Sequence, residues 1–274
     1  MPTTDNLSPN RAAIMKLFPS YINLTSFHIR HLTKRPEKPV ERDLHWLKTR
    51  GYLKCKDNPH GRFAPKVHFL TQKGWNWSFK EKLFEEEVHA VSGHGSMNLI
   101  HDLVLTDLHI KLHDLFADQL SWTQLYQHCY RRFGKKENDR VNMDAFFSFP
   151  IGGEYANFAV ETERSRDSVK GGLSSRMNKV DAYEAFARGP YQEEFGKGAD
   201  FRVLWTFSSQ DKVINFAVKA HLEKDATRRH WVLDESAIPT ITRNAQVFVT
   251  PRDIEQISEQ RRWNAQRLYS LGEA

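Results

Sequence analysis

The sequence predicts an α+β protein: a helical amino-terminal domain that ends in two short strands, followed by an α/β domain built on a mixed sheet. Apolar residues recur at helical spacing in three segments before residue 50, and two short apolar strands follow them. Beyond residue 118, apolar strands alternate with helices, which is typical of an α/β sheet. We therefore expect domains over residues 1–80 and 118–274, joined by a helical connector over residues 81–117.

Positive charge is concentrated in the first of these domains. Residues 1–80 carry 15 Lys and Arg against 5 Asp and Glu, whereas the rest of the chain carries 25 against 29. A concentrated basic domain is the electrostatic feature expected of a protein that binds phosphate backbones, so we expect double-stranded DNA as the partner. Anionic membrane lipid is less favoured because no amphipathic anchor accompanies the charge.

Composition argues against several other classes of protein. No apolar run approaches the roughly 20 residues that span a bilayer, and the first residues lack the basic flank and apolar stretch of a signal peptide. We therefore expect a cytoplasmic protein without a membrane partner. Cys55 and Cys129 are isolated in sequence, which predicts ordinary reduced thiols rather than a disulfide framework or a zinc site.

The first domain is predicted to contain helices over residues 10–18, 24–32 and 40–50, then strands over 52–56 and 66–71. Thr25 is the expected N-cap of the second helix. The outer face of the third helix carries Arg42, His45, Lys48 and Arg50.

This pattern resembles a winged helix-turn-helix, and the run RDLHWLKTRGYLK followed by VHFLTQKGW resembles its recognition helix and wing in bacterial domains. The resemblance implies that the third helix enters the major groove, while Arg62 and Lys66 on the wing contact phosphate or the minor groove. The alternative is that these charges are only a solvated helix face.

The second domain is predicted to alternate strands and helices. We expect strands over residues 120–125, 129–133, 141–149, 155–163, 201–207 and 231–233, with a last edge strand over 248–250. Residues 150–154 would turn a hairpin, and helices are expected over 169–186, 211–223 and 253–269.

Carboxylates gather at the ends of two of these strands. Side chains alternate along a strand, so Glu161 and Glu163 share a face, and Asp144 could join them from the neighbouring strand. Carboxylate oxygens are the ligands that Mg²⁺ and Mn²⁺ prefer, so the pattern predicts a metal site. The alternative is an exposed edge strand whose glutamates pair with Arg164 and Arg166.

The order of the motifs carries a further resemblance. A winged helix followed by MDAFF, FAVETERS and KVDAYEAF is similar to the plasmid replication-relaxation family, which is related to MobC-type relaxases and belongs to the PD-(D/E)xK nuclease superfamily. The match covers most of residues 10–235. It implies a restriction-endonuclease-like second domain that nicks DNA with Mg²⁺ or Mn²⁺. It also implies a role in replication or mobilisation of a plasmid or mobile element, with other mobilisation or replication proteins as partners.

By this resemblance Asp144 matches the first acidic residue of the motif and Glu161 the second, whereas Glu163 stands where a lysine is usual. A lysine from the following helix would replace it, and Lys179 is favoured over Lys170. The implied roles are metal ligation by the three carboxylates and charge neutralisation or water positioning by Lys179. A further cation, Arg164, would hold the adjacent phosphate.

Two alternatives keep other functions open. The first is a sequence-specific DNA-binding regulator or assembly factor with a degenerate nuclease site, which the presence of Glu163 in the lysine position favours. The second is an adaptor whose second domain binds a partner protein. Tyr183 and Tyr191 are available as nucleophiles, but tyrosines in helices are more often packing residues.

Overall fold

The computed structural model of the chain describes residues 7–61, 63–83, 96–124, 129–135, 139–151, 153–163, 171–196, 201–224, 229–244, 248, 250–251, 254–257, 263–265 and 271. The chain divides into two units, Met1–Ile110 (unit 1) and Lys111–Ala274 (unit 2). Helices and a mixed sheet are both present, so the predicted α+β class is confirmed. In the part of the chain that the structure describes, no helix has the length and apolar character needed to span a membrane.

Unit 1 contains helices α1 to α4 and three short strands. The helices are α1 (Pro9–Met15), α2 (Ser26–Thr33), α3 (Glu37–Thr49) and α4 (Gln72–Lys80), and a longer helix, α5, runs over Ser96–Phe116. The strands are β1 (Leu24–Thr25), β2 (Leu53–Lys56) and β3 (Val67–Leu70). They form an antiparallel sheet in the order β1-β3-β2.

Local signals explain where these helices begin. Thr25 caps α2 as expected, because its side chain accepts a hydrogen bond from the His28 amide at 3.3 Å. Thr71 caps α4 in the same way by accepting from the Gly74 amide at 3.1 Å. Helix α4 was missing from the sequence prediction, since Gly74 and two tryptophans within nine residues are poor helix formers.

Buried aliphatic and aromatic side chains form the core of unit 1. They come from α1, α2 and α3 and from the strands, and the fully buried members include Ile14, Met15, Phe18, Leu24, Ile29, Val40 and Leu47. Both predicted strands of the ribbon are present at nearly the expected positions. The predicted helix over residues 81–117 is described only from Ser96, because residues 84–95 lie outside the described part.

Unit 2 is built on a five-stranded sheet. Its strands are β4 (Ser121–Thr123), β7 (Ala145–Ile151), β8 (Glu154–Glu163), β9 (Phe201–Phe207) and β10 (His230–Asp234). The order is β10-β9-β8-β7-β4, with β8, β9 and β10 parallel and the remaining pairs antiparallel. The sheet is therefore mixed, as predicted, and is compatible with a restriction-endonuclease-like domain.

Three helices of the described part of unit 2 accompany this sheet. They are α6 (Gly171–Arg188), α7 (Pro190–Phe195) and α8 (Gln210–Lys224), and short 3-10 helices occur at Ala117–Gln119 and Glu235–Thr240. One apolar cluster joins α6 and α8 to the sheet through Val180, Tyr183, Trp205 and Phe216. This packing fixes α6 along one face of β8 and β9.

The predicted strand over residues 141–149 is divided in two. Its first part is β6 (Arg140–Asn142), which pairs with β5 (Tyr130–Arg132) in a separate two-stranded sheet, and its second part is β7. Met143 and Asp144 stand between them. The chain therefore changes sheets at Asp144, which the continuous apolar pattern did not reveal.

The predicted terminal helix over residues 253–269 is wrong. Strands β11 (Ile254–Ile257) and β12 (Trp263–Ala265) occur there and pair antiparallel. The helix was predicted from the run of charged residues. Isoleucine and tryptophan favour strands instead, and pairing between the two strands satisfies their backbone hydrogen-bonding groups. Of the predicted edge strand over residues 248–250, Phe248 forms an isolated bridge and residue 249 lies outside the described part.

Candidate active site at the ends of strands β7 and β8

The start of β7 lies beside the end of β8, and this places Asp144 next to Glu161. The Asp144 amide donates a hydrogen bond to the carbonyl of Val160 at 3.0 Å. Its carboxylate oxygen Oδ2 accepts from the amide of Thr162 at 2.7 Å. Asp144 is therefore held by the backbone of β8 on both sides of Glu161.

Glu161 is the most deeply buried carboxylate of this group, with 1% of its surface exposed. Two donors from α6 hold its two oxygens. Lys179 Nζ lies 2.5 Å from Oε2, and the hydroxyl of Tyr183 donates to Oε1 at 2.6 Å. Lys179 and Tyr183 are four residues apart on a helix, so they share the face that packs against β8.

The protonation of this group follows from burial and neighbouring charge. Burial raises the pKa of Glu161 to about 7, against the opposing effect of the Lys179 ammonium and with a further increase from the charge of Asp144. Burial lowers the pKa of Lys179, but the charges of Glu161 and Asp144 outweigh it and hold that pKa above its ordinary value. Lys179 is therefore a cation at neutral pH and cannot serve there as a general base.

The two tyrosines available as nucleophiles, Tyr183 and Tyr191, are both buried, whereas a nucleophile must reach its substrate. Burial, followed by the charge of Glu161, raises the pKa of Tyr183 well above its ordinary value. Tyr183 is thus a protonated donor that orients Glu161. Tyr191 is fully buried and packs between Phe186, Phe195 and Phe201.

Glu163 lies on the same face of β8 as Glu161 but has a different partner. Arg176 Nε donates to Glu163 Oε2 at 2.7 Å, and Lys179 Nζ lies 3.8 Å from Oε1. Arg176 is only 8% exposed and was not among the predicted site residues. Its position three residues before Lys179 on α6 was the available signal, because residues at that spacing share a helix face.

Not every predicted residue of this site can be placed. Arg164, expected to hold a phosphate, and Lys170, the second choice of lysine, both lie outside the described residues. Arg166 also lies outside the described residues, but the alternative of an exposed edge strand is wrong, because β8 lies between β7 and β9 and Glu161 is buried. The favoured lysine, Lys179, does reach Glu161.

Asp144, Glu161 and Glu163 are the candidate oxygen ligands for a hard divalent cation. Across the described ranges, no group of three His, Cys, Asp or Glu side chains is arranged to hold a metal ion. That Glu163 is a third ligand stays a prediction. Its ion pair with Arg176 does not favour this role, because the guanidinium already neutralises the carboxylate. Asp144 and Glu161 fit such a cation as a pair, because both are oxygen donors and a cation would offset both the burial of Glu161 and the charge of Asp144, which together raise the pKa of Glu161.

A second buried polar chain anchors α6 to the sheet. The indole nitrogen of Trp205 donates to His230 Nδ1 at 3.0 Å, and His230 Nε2 lies 3.1 Å from Glu184 Oε1. An indole can only donate, so Nε2 carries the imidazole proton and donates it to Glu184. Burial lowers the pKa of His230 and keeps the ring neutral. Trp205 is the cross-strand neighbour of Glu161, so this chain supports the helix that holds the site.

The predicted DNA-contacting residues of unit 1 lie on α3, at its C-cap and on the β2–β3 hairpin. Arg42, His45, Arg50 and Lys66 are exposed, and Lys48 is partly buried. Three of them have partners: Arg50 lies over the ring of Trp46 at 5.4 Å, Lys48 Nζ is 3.9 Å from Cys55 Sγ, and Lys66 Nζ is 3.4 Å from a carboxylate oxygen of Asp57. Arg62 lies outside the described residues, and DNA contact by the others stays a prediction.

Comparison with known proteins adds little beyond this geometry. No protein-family model matches the chain, and no curated protein matches it in sequence. Among solved structures, it is similar to the restriction endonuclease FokI with a TM-score of 0.32 and 11% identity, over 85% of this chain and 44% of that chain. FokI bound to DNA gives a TM-score of 0.30 with the same identity and coverage. The chain thus spans less than half the length of FokI, and the likeness is a weak one that concerns the fold alone.

Proposed function

We propose that the chain is a DNA-binding protein whose unit 2 cleaves a phosphodiester bond of DNA, as a metal-dependent endonuclease that nicks one strand. The observation that carries this proposal is Glu161, buried between Lys179 and Tyr183 and beside Asp144. Burying a carboxylate lowers stability by several kcal/mol unless hydrogen-bond donors and a cation compensate it. Removing one partner of a buried ion pair typically costs roughly 3–5 kcal/mol of stability. Shifted pKa values of this kind cluster at functional sites.

Each residue of the site has a distinct role in this proposal. Asp144 and Glu161 would hold Mg²⁺ or Mn²⁺, and the bound ion would lower the pKa of a water molecule and offset charge on the phosphate. The Lys179 ammonium stabilises negative charge on a phosphate oxygen placed beside Glu161. Tyr183 keeps the Glu161 carboxylate in one orientation by donating to Oε1. The Glu163–Arg176 pair then lies at the edge of this site.

Unit 1 would locate the DNA. We include in the proposal the winged helix-turn-helix interpretation of unit 1, with α3 as the recognition helix and the β2–β3 hairpin as the wing. The order of three helices before a ribbon and the excess of basic residues support it. The proposal also includes a role in replication or mobilisation of a plasmid or mobile element, and a cytoplasmic location. Both of these rest on the sequence alone.

A second candidate function is a DNA-binding regulator that keeps the fold without the activity. The Glu163–Arg176 contact favours it, because the position where a nuclease of this superfamily usually has a lysine carries a carboxylate that is already paired. Lys179 would then serve only to neutralise Glu161. The two functions differ in one measurable respect, which is cleavage.

Conversion of supercoiled plasmid DNA to open circles tests the proposal. Wild type would be compared with Asp144→Asn, Glu161→Gln and Lys179→Met in Mg²⁺, in Mn²⁺ and in a chelator. We expect metal-dependent nicking that each substitution lowers by about 100-fold or more, because each removes a group that acts on developing charge. Thermal unfolding of each variant shows whether it is folded.

Lys224→Met is the matched control. Lys224 Nζ lies 2.5 Å from Asp181 Oδ2, so this substitution also removes a lysine from a carboxylate of α6, away from Glu161. We expect it to nick at nearly the wild-type rate. DNA binding without cleavage in either metal would reject the nuclease and leave the regulator as the function.

A further inference from the structure

Phe63 is 100% exposed, more than any other large apolar side chain among the described residues. It lies in the loop between β2 and β3, at the end of the hairpin. Keeping a phenyl ring entirely in water is unfavourable, since burial of an aromatic side chain is one of the larger apolar gains available to a protein. Other exposed aromatic residues of unit 1, such as Phe79 at 40%, keep part of their surface covered.

The loop that carries Phe63 is held by its own hydrogen bonds. The side chain of Asn58 is buried, donates to the carbonyl of Pro65 at 3.0 Å and accepts from the amide of His60 at 3.0 Å. The Gly61 amide donates to the carbonyl of Asn58 at 3.2 Å, and Gly61 has a φ of 134°, which glycine adopts readily. These bonds hold the turn in a shape that directs Phe63 outward.

The surroundings of Phe63 on this hairpin are mainly cationic. Lys54 is exposed on β2, and Lys66, at the start of β3, is largely exposed. The one acidic residue of the loop, Asp57, lies 3.4 Å from Lys66 and partly offsets its charge. An exposed aromatic ring on a hairpin that also carries exposed lysines matches a nucleic acid, which presents base faces next to phosphates.

We propose that Phe63 stacks on a nucleobase of bound DNA while Lys54 and Lys66 contact the adjoining phosphates. The inference rests on the proposed binding of DNA by unit 1 and adds the group that the aromatic ring recognises. In a duplex, an apolar side chain of this kind inserts between base pairs and unstacks them. On unpaired DNA the ring stacks on a free base face. The recognised chemistry is the same in both cases.

Equilibrium binding by fluorescence anisotropy tests the inference. Wild type, Phe63→Ala, Phe63→Trp and Phe79→Ala would be titrated with a labelled duplex and with a single strand of the same sequence, each at several salt concentrations. We expect Phe63→Ala to weaken binding to at least one of these DNAs by about 10-fold. Phe63→Trp retains an aromatic face and should bind within about 3-fold of wild type.

Salt dependence separates stacking from charge. Phe63→Ala removes no cation, so the slope of log K against log salt should be unchanged, whereas Lys66→Ala should reduce the slope by about 1 if Lys66 contacts a phosphate. Phe79→Ala, which removes another exposed phenyl ring of unit 1, should bind as wild type does. Because Phe63 is fully exposed, its replacement removes no packing of unit 1, and thermal unfolding of Phe63→Ala should match that of wild type.

The outcomes are distinguishable. Loss of affinity only for the duplex assigns insertion between base pairs, and loss for the single strand assigns stacking on an unpaired base. Wild-type affinity of Phe63→Ala for both DNAs overturns the inference and leaves the proposed function standing. Failure of the wild-type protein to bind either DNA overturns both.

Discussion

Glu161 illustrates how single residues in this chain keep unfavourable positions. Its carboxylate is stable in the interior of unit 2 because an ammonium and a phenol from one helix hold both oxygens. Burial, together with the charge of Asp144, still raises the pKa of Glu161 to about 7. A buried carboxylate beside a second carboxylate and a fixed cation is the kind of arrangement that occurs at functional sites.

His68 on β3 is a second buried titratable residue, and it predicts a pH dependence of stability. Burial lowers the pKa of His68 to about 4 from 6.5, and the charges of Lys48 and Lys66 add to this effect. Between these values the unfolded chain binds a proton that the folded chain does not. The contribution of His68 to the free energy of unfolding should therefore fall as pH falls from 6.5 to about 4, by about 3 kcal/mol.

Hydrogen exchange of the β3 amides as a function of pH measures this effect. His68→Leu should remove this contribution within that window, because leucine has no proton to bind. The Nδ1 atom of His68 has no hydrogen-bond partner among the described residues, so leucine forfeits no bond there. His60→Leu is the control, since it removes an exposed imidazole from the same hairpin. An unchanged pH dependence in His68→Leu would contradict the prediction.

At the scale of elements, α6 determines the composition of the candidate site. Arg176, Lys179 and Tyr183 lie at positions i, i+3 and i+7 of this helix and so share one face. That face meets the alternate residues Glu161 and Glu163 of β8. The spacing of these three side chains along α6 therefore matches the spacing of Glu161 and Glu163 along β8. As a result, each carboxylate is paired with a basic residue.

Helix α4 gives a prediction at the same scale. Gly74 lies where a Cβ atom would meet the backbone oxygen of Tyr52 far inside contact distance, and Leu70 Cδ2 at 2.9 Å. Gly74→Ala should therefore lower the free energy of unfolding by up to about 2 kcal/mol, because overpacking costs about 1–3 kcal/mol and the gain in helix propensity offsets about 1 kcal/mol of it.

Chemical denaturation of the full chain, with hydrogen exchange at α4 to locate the effect, measures this loss. Asn76→Ala is the control, because Asn76 is exposed on the same helix and its replacement should change stability by no more than about 0.5 kcal/mol. Equal stability of Gly74→Ala and wild type would show that Tyr52 and Leu70 can move away at little cost.

At the scale of the whole molecule, the main feature is the unequal distribution of charge. Residues 1–80 hold 15 basic and 5 acidic side chains, whereas the remainder holds 25 and 29. If unit 1 binds DNA, the salt dependence of affinity should respond to charge in that unit alone. Arg42→Gln and Arg50→Gln should each reduce the slope of log K against log salt by about 1.

Arg131→Gln is the matched control for this prediction. It changes the net charge by the same amount but lies in unit 2, where Arg131 Nε donates to Glu194 at 3.0 Å. We expect its salt slope to equal that of wild type. Equal reductions by all three substitutions would mean that net charge, and not the basic face of α3, governs binding.

Much of the secondary structure could be predicted from local signals. Strand β9 occupies the predicted residues 201–207, because a short apolar run rich in aromatic and β-branched residues favours a buried strand. Thr25 caps α2 because a hydroxyl at that position satisfies an amide of the first helical turn. The same reasoning gave a wrong helix for the charged segment 253–269, because β11 and β12 form by pairing with each other and not from a local pattern.

By itself the sequence determined the local elements, the basic character of the first 80 residues, and the face that Glu161 and Glu163 share, because propensity, charge and strand alternation are properties of neighbouring residues. Only the tertiary structure decided that Lys179 and Tyr183 hold Glu161, that Arg176 holds Glu163, and that the chain changes sheets at Asp144. These contacts depend on the register of α6 against β8. That register follows from how the apolar side chains of the helix and the sheet fill their shared core, which no local pattern encodes.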